Sequence, residues 1–207
     1  MDLNKILMES AKLDERLHEF LLPGNSNDPV RDRCCAILCG IAFEHAQSLK
    51  MLMVMGNHTS AAGLIRLQYE ALVRGMWAFW AASEGEVTKL TADLTTESAR
   101  VANNLPMMSK MLEALQGKAP KPATDLLLEF RDYSWKPLSS FVHGGIHAVD
   151  RNTKGYPVPL LIQMLKSSNG VSMMAAMVLV IIAKNGAHQG KLPALQREFA
   201  SSLPDLK

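Results

Sequence analysis

Cysteine is scarce and poorly placed for cross-linking: the 207 residues include three, Cys34, Cys35 and Cys39, all in one short stretch. An odd count with local spacing and no distant mate excludes a secreted disulfide framework, and a reducing cytosol is the compartment expected. An uninterrupted apolar opening is also lacking. Asp2, Lys5, Glu9, Asp14, Glu15 and Glu19 interrupt the first 22 positions, which is not how a signal peptide is built. Charge of one sign is nearly absent, since 22 Lys+Arg against 20 Asp+Glu leave a formal +2. So small an excess gives no signal for a nucleic-acid partner. Long hydrophobic runs are few. The most apolar, Val171 to Ala183, would rise about 20 Å as a helix against a hydrocarbon core of roughly 30 Å, and it runs into Lys184-Asn185. A buried core helix is expected there, and no membrane association. Also missing are any alternating apolar–polar stretch long enough for a sheet and any internal repeat.

What the chain does have is 48% hydrophobic and 20% charged residues, enough to bury a sizeable core in one helical domain spanning 1–207. Apolar residues at helical spacing from Leu3 to Leu21 predict a first amphipathic helix, stopped by Pro23-Gly24 and followed by the loop Asn25 to Asn27. Asp28-Pro29 pairs an N-cap acceptor with a first-position proline and opens a long helix to Met55, where Gly56-Asn57 is a left-handed stop. Gly40, inside it, is expected to permit close packing. Thr59 or Ser60 caps a third helix to Ser83, ended by Glu84-Gly85. Residues 29–83 should thus form a long antiparallel central hairpin. Further helices are expected at about 87–103 and 107–116, then an internal linker at 117–122. Beyond it come 123–135 (broken or kinked by Pro137), 138–149 (weakened by Gly144-Gly145), 160–166, 171–184 and 194–201, with a polar loop at 150–159. The expected fold class is all-α, a bundle of about seven to nine helices.

The third helix carries the chemistry. Leu64, Ile65, Leu67, Leu72, Val73, Met76, Trp77, Phe79 and Trp80 point in nearly every direction, the mark of a central helix. Yet Arg66, Glu70 and Arg74 recur at i, i+4 spacing on it, beside Gln68 and Tyr69. Sequestered charges cost several kcal/mol unless paired, so these residues must reach an edge or find mates elsewhere in the chain. Base before acid is the weaker order for a surface helix pair, which argues against simple helix stabilisation. The ordinary alternative is a satisfied ion pair that fixes helix register.

A second cluster, Ser139 to His147, brings Ser140, His143 and His147. If helical, the two histidines share a face. If Gly144-Gly145 break the helix, freed backbone N–H groups offer an anion site. Metal is not expected, because a third ligand and an intervening acid are missing. Ser140 with His143 lacks an orienting third group. A histidine bonded to Glu70 or Tyr133 in the core is the more ordinary outcome. Cys35 and Cys39 share a helical face and are expected as small core residues, although Arg31 and Arg33 offer a way to lower a thiol pKa. The abundant methionines, 13 in all, fill core gaps or line an adaptable interface.

The stretch Leu64-Ile65-Arg66-Leu67-Gln68-Tyr69-Glu70, followed by Ser139-Ser140-Phe141-Val142-His143-Gly144-Gly145, resembles uncharacterised bacterial all-helical families. These pair an Arg-x-x-x-Glu helix with a later Ser-x-x-His segment. The resemblance spans roughly residues 30 to 185 and implies a bundle in which Arg66, Glu70 and His143 approach one another. A more distant similarity is to the HEPN superfamily of helical bundles, many of them RNA-cleaving defence effectors. Their signature, an Arg followed by His after four to six residues, is absent here: Arg131 to His143 is too long and Arg16 to His18 too short. The function expected is a non-enzymatic binding or regulatory module in the cytoplasm, assembled as a homodimer and without cofactor, that receives a small molecule or protein partner. The alternative is a hydrolase or ribonuclease-like effector using His143, Arg66 and Glu70.

Overall fold

The computed structural model describes residues 2–21, 28–183, 188 and 190–205, so the expected stop at Pro23-Gly24, the loop after it and the Lys184-Asn185 terminus lie outside the described residues. Among the described residues there are ten α-helices, a closing 3-10 turn at Ala200–Ser202 and no strand. The helices are α1 Leu3–His18, α2 Val30–Val54, α3 His58–Trp80, α4 Glu84–Thr91, α5 Thr96–Ala102, α6 Met108–Leu115, α7 Lys121–Val142, α8 Ile146–Lys154, α9 Val158–Ala183 and α10 Lys191–Glu198.

The departures from expectation have local causes. Ten helices are described where seven to nine were expected, and residues 87–103 are split into α4 and α5, where Thr95 starts α5 with a capping box. Glu84-Gly85 does not end α3. It opens α4, with Ser83 as N-cap and Glu86 closing the box, and these hydrogen bonds hold the Glu86 carboxyl below the ordinary glutamate range. Asp28 is not the N-cap of α2, because that position falls to Pro29. Nor do Thr59 or Ser60 cap α3, which Asn57 precedes. Pro137 sits inside α7 without ending it. It removes one amide from the helix ladder, and α7 carries on for five residues beyond it. The expected 160–166 and 171–184 merge into one 26-residue helix, α9.

α3 is central, packing on α2, α6, α7, α8 and α9, and its pairing with α2 is the most extensive in the fold. The glycine that allows this is Gly75: a Cβ there would lie 3.2 Å from the Leu38 Cβ and 3.5 Å from the Cys35 carbonyl oxygen. Gly40 does not do so, since a Cβ there would meet nothing within 4 Å. Its helix-propensity cost of about 1 kcal/mol is therefore not offset by any close contact among the described residues.

α9 joins the two apolar clusters of the core. Its polar residues are locked inward. The Gln68 amide donates to the Ser168 carbonyl (3.0 Å) and the Ser172 hydroxyl (3.0 Å), while the Ser168 hydroxyl donates back to Gln68 Oε1 (2.7 Å). Asn169 donates to Ser10 and to the Ser202 carbonyl, both at 2.8 Å, tying α1 and the C-terminal turn to α9. Both α2 and α9 are long and apolar enough to cross a membrane, and α9 is largely packed within the fold. The short-helix expectation for 171–183 is thereby corrected.

All three cysteines are buried, and none is in a disulfide. A hydrogen bond to Cys39 and burial push the Cys35 thiol up, and burial raises Cys34 despite nearby Arg31. Arg31 is occupied by the carbonyls of Ala78 and Ala82 and by Glu84, so it does not activate a thiol.

A buried ion pair not anticipated from the sequence joins α1 to α2: Lys50 Nζ lies 2.8 Å from Asp14, with both side chains almost wholly enclosed. Lys50→Met should cost about 3–5 kcal/mol in denaturant unfolding, because Asp14 is left buried without its mate. Replacing both (Lys50→Met with Asp14→Leu) should recover most of that loss. Gly75→Val should cost about 1–3 kcal/mol by overpacking the α2–α3 contact.

Candidate functional site

The expected juxtaposition is present, and two further residues complete it. Arg66 and Glu70 lie one turn apart on α3. Facing them, Trp135, Ser139 and His143 lie one turn apart on α7, so two i, i+4 ladders meet. The end of α7 packs beside Gly63, where a Cβ would make only an ordinary contact, 3.6 Å from a Val142 methyl. Arg66 Nε donates to Glu70 Oε1 at 2.7 Å. Its Nη1 donates to Ser139 Oγ at 2.9 Å and meets His143 Nε2 at 3.2 Å. The guanidinium carbon stands 4.4 Å from the centroid of the Trp135 ring, a cation–π contact worth about 0.5–2 kcal/mol. Nη2 has no hydrogen-bond partner among the described residues.

A guanidinium has no lone pair to offer, so the contact at His143 Nε2 requires that nitrogen to accept. As a hydrogen bond, the contact assigns His143 the tautomer with its proton on Nδ1. The site is neither sealed nor bathed in water: the Arg66 and Glu70 side chains are 17% and 27% exposed, and His143 lies open at the rim. Arg74 continues the α3 ladder but does not pair with Glu70. Its Nε is buried and without a partner among the described residues.

The turn after α7 places His143. Gly144 has φ +63° and the Gly145 N–H donates to the Ser140 carbonyl at 2.7 Å, a Schellman closure in which His143 is the C-cap. A Cβ on Gly145 would fall 2.6 Å from Ser140 Oγ, so the second glycine is required by close approach. Ser140 Oγ in turn accepts the His147 N–H at 2.9 Å, which starts α8. Ser140 is thus a turn residue, and the serine in the site is Ser139. The break also parts the two histidines: His147 moves onto α8 and stacks on Phe141, with centroids 6.2 Å apart. A metal pair on one helical face is not formed. The expected anion site on freed N–H groups is largely used up, because the amides of His143, Gly145 and His147 are all bonded internally.

Other expected members divide between core and surface. Tyr69 is fully buried, donates to the Leu127 carbonyl at 2.7 Å, stacks on Phe130 and meets Trp135 edge-on, so it backs the tryptophan under Arg66. Burial pushes its phenol well up. Tyr133 stands exposed on α7 rather than in the core. Trp135 and Ser139 were missed as site residues, although their i, i+4, i+8 spacing with His143 was a readable signal. Two open grooves, of about 500 and 580 Å³, lie away from this cluster, at the α3–α8 junction and between α1 and α2. Gly145→Ala should lower stability by about 1–3 kcal/mol. It should also shift the His143 ring resonances, because the turn that aims His143 cannot close around the added methyl.

No curated protein and no solved structure matches the chain. Residues 39–205 match a family model, taking in both the Arg66–Glu70 helix and the Ser139–His143 segment. With most of its length covered by that match, the chain belongs to DUF6988, a family of unknown function.

Proposed function

We propose that this protein is a non-enzymatic binding or regulatory module of the cytoplasm whose α3–α7 rim receives an anionic group, a carboxylate or phosphate, of a small ligand or partner. One observation carries the reading: Arg66 is fixed by Trp135, Glu70, Ser139 and His143, while Nη2 is left without a partner beside an exposed histidine. A guanidinium held in one orientation loses little freedom when it receives a planar or tetrahedral anion. Arg74 adds a second cation on the same helix face, so two arginines stand against one glutamate, and its buried Nε finds no acceptor among the described residues.

The same geometry favours binding over turnover. Ser139 Oγ and His143 Nε2 both accept from one guanidinium nitrogen. His143 thus spends on Arg66 the lone pair a general base would need, and no nucleophile is held to it. The central helices fit the long antiparallel hairpin expected: Arg31, early in α2, donates to carbonyls at the end of α3, and Gly75 rests on Leu38 and Cys35. The internal hydrogen bonds of Ser168, Asn169 and Ser172 support reading α9 as a core helix rather than a membrane span.

A thermal-shift panel of inorganic phosphate, phosphate monoesters and carboxylates tests this. A ligand at about 100 times its Kd should raise Tm by roughly 5–10 °C. Arg66→Lys and Arg74→Met should fold yet lose the shift. If no panel member moves the wild-type Tm, the cluster is a structural ion pair. Turnover of RNA, nucleotides or esters that disappears in His143→Ala would replace this reading with the hydrolase.

A further inference from the structure

The groove between α1 and α2, of about 580 Å³, has an ion pair in its wall. Lys50 and Asp14 line it, 2.8 Å apart, with side chains only 9% and 10% exposed. An ammonium carries three N–H donors. Asp14 is the one partner Lys50 has among the described residues, so donors stay unused on a group almost removed from water. Burial pushes the Lys50 ammonium below its ordinary range against the pull of Asp14, so its charge is incompletely compensated. Glu15 lines the same groove and has no hydrogen bond or ion pair among the described residues. His18 Nδ1 meets the Asp14 carbonyl at 2.9 Å, and the Gln47 amide nitrogen meets His18 Nε2 at 2.9 Å. As hydrogen bonds, these contacts assign His18 the uncharged Nδ1–H tautomer and leave Gln47 Oε1 as a further acceptor.

These groups select a ligand by sign. Two carboxylates against one ammonium give the lining a negative excess, so a simple anion on Lys50 would lie beside Asp14 and Glu15. A simple cation on Glu15 would share the groove with the Lys50 ammonium and leave its donors unused. A ligand with both signs on neighbouring atoms answers both. Its carboxylate accepts from Lys50, while its ammonium donates to Glu15 and Gln47 Oε1. The rest of the lining is apolar: Ala11, and Met51, which is 69% exposed. A flexible thioether adapts to aliphatic or aromatic side chains of varied shape.

We propose that the α1–α2 groove is a binding site for a free α-amino acid with an apolar side chain, its carboxylate on Lys50 and its ammonium on Glu15. The site is separate from the Arg66 rim. Titrations of the full chain followed by amide NMR test it, with L-leucine, isocaproate (leucine without its ammonium) and isoamylamine (leucine without its carboxylate) as probes. Leucine should move the amides around Glu15 and Lys50, and each half should bind roughly tenfold more weakly or worse. Glu15→Gln, at an exposed and unpaired side chain, should fold and weaken leucine by a similar factor. The double variant Lys50→Met with Asp14→Leu should not bind leucine, whereas Arg66→Lys should bind it unchanged. Glu15→Gln carries the test alone if the double variant does not fold. No shift with leucine up to about 10 mM, halves that bind as well as the whole, indifference to Glu15→Gln, or loss of binding in Arg66→Lys would each overturn the site.

Discussion

A guanidinium held between two apolar helices constrains everything around it. Arg66 projects from a helix that packs on five others, where an unpaired cation would cost several kcal/mol. The chain meets that cost from α3 with Glu70 and from α7 with Trp135, Ser139 and His143. Ser139 and His143 reach Arg66 because α7 continues through Pro137 for just over one more turn and then stops. The Gly144-Gly145 closure after Val142 leaves His143 at the helix end with its ring on Arg66. The alternation of breaker and extension in α7 follows from what Arg66 needs.

The same accounting applies around the rest of α3. Gln68 turns to α9 and is answered by Ser168 and Ser172, Tyr69 turns to α7 and is answered by a backbone carbonyl, and Gly75 clears space for α2. The buried polar side chains Gln68 and Tyr69 on this nearly all-round apolar helix are satisfied by different neighbours, which ties α9 and α7 to separate sides of it. Arg74 departs from that pattern, with a buried Nε and no acceptor among the described residues. A cation kept there without an internal mate is the kind of cost that a bound anion offsets.

The sequence made the helical class plain because its signals were local: periodic apolar positions, glycine and proline stops, and no alternating stretch. Arg66 and Glu70 stood out because charges on an all-round apolar helix demand partners, and His143 was within reach of that reasoning. Ser140 was preferred over Ser139 because the turn geometry that assigns Ser140 to the start of α8 depends on φ at Gly144, which composition does not reveal. Trp135 was treated as the end of a helix, since proline reads as a breaker from the sequence alone. Gly40 and Gly75 were indistinguishable in the sequence, each a glycine inside a helix, and only the neighbours on α2 and α3 separate them. The Lys50–Asp14 pair spans two helices, and no spacing rule connects those positions.

If Arg66 is what organises this face of α3, His143 must present a bare Nε2 to it and carry its proton on Nδ1. The long-range nitrogen–proton spectrum of the His143 ring at neutral pH reads that tautomer directly. The account predicts the Nδ1–H form in the wild type and its loss in Arg66→Lys, where the fork that donates from Nη1 is gone. A His143 that shows the Nε2–H form, or a tautomer unmoved by Arg66→Lys, would contradict it.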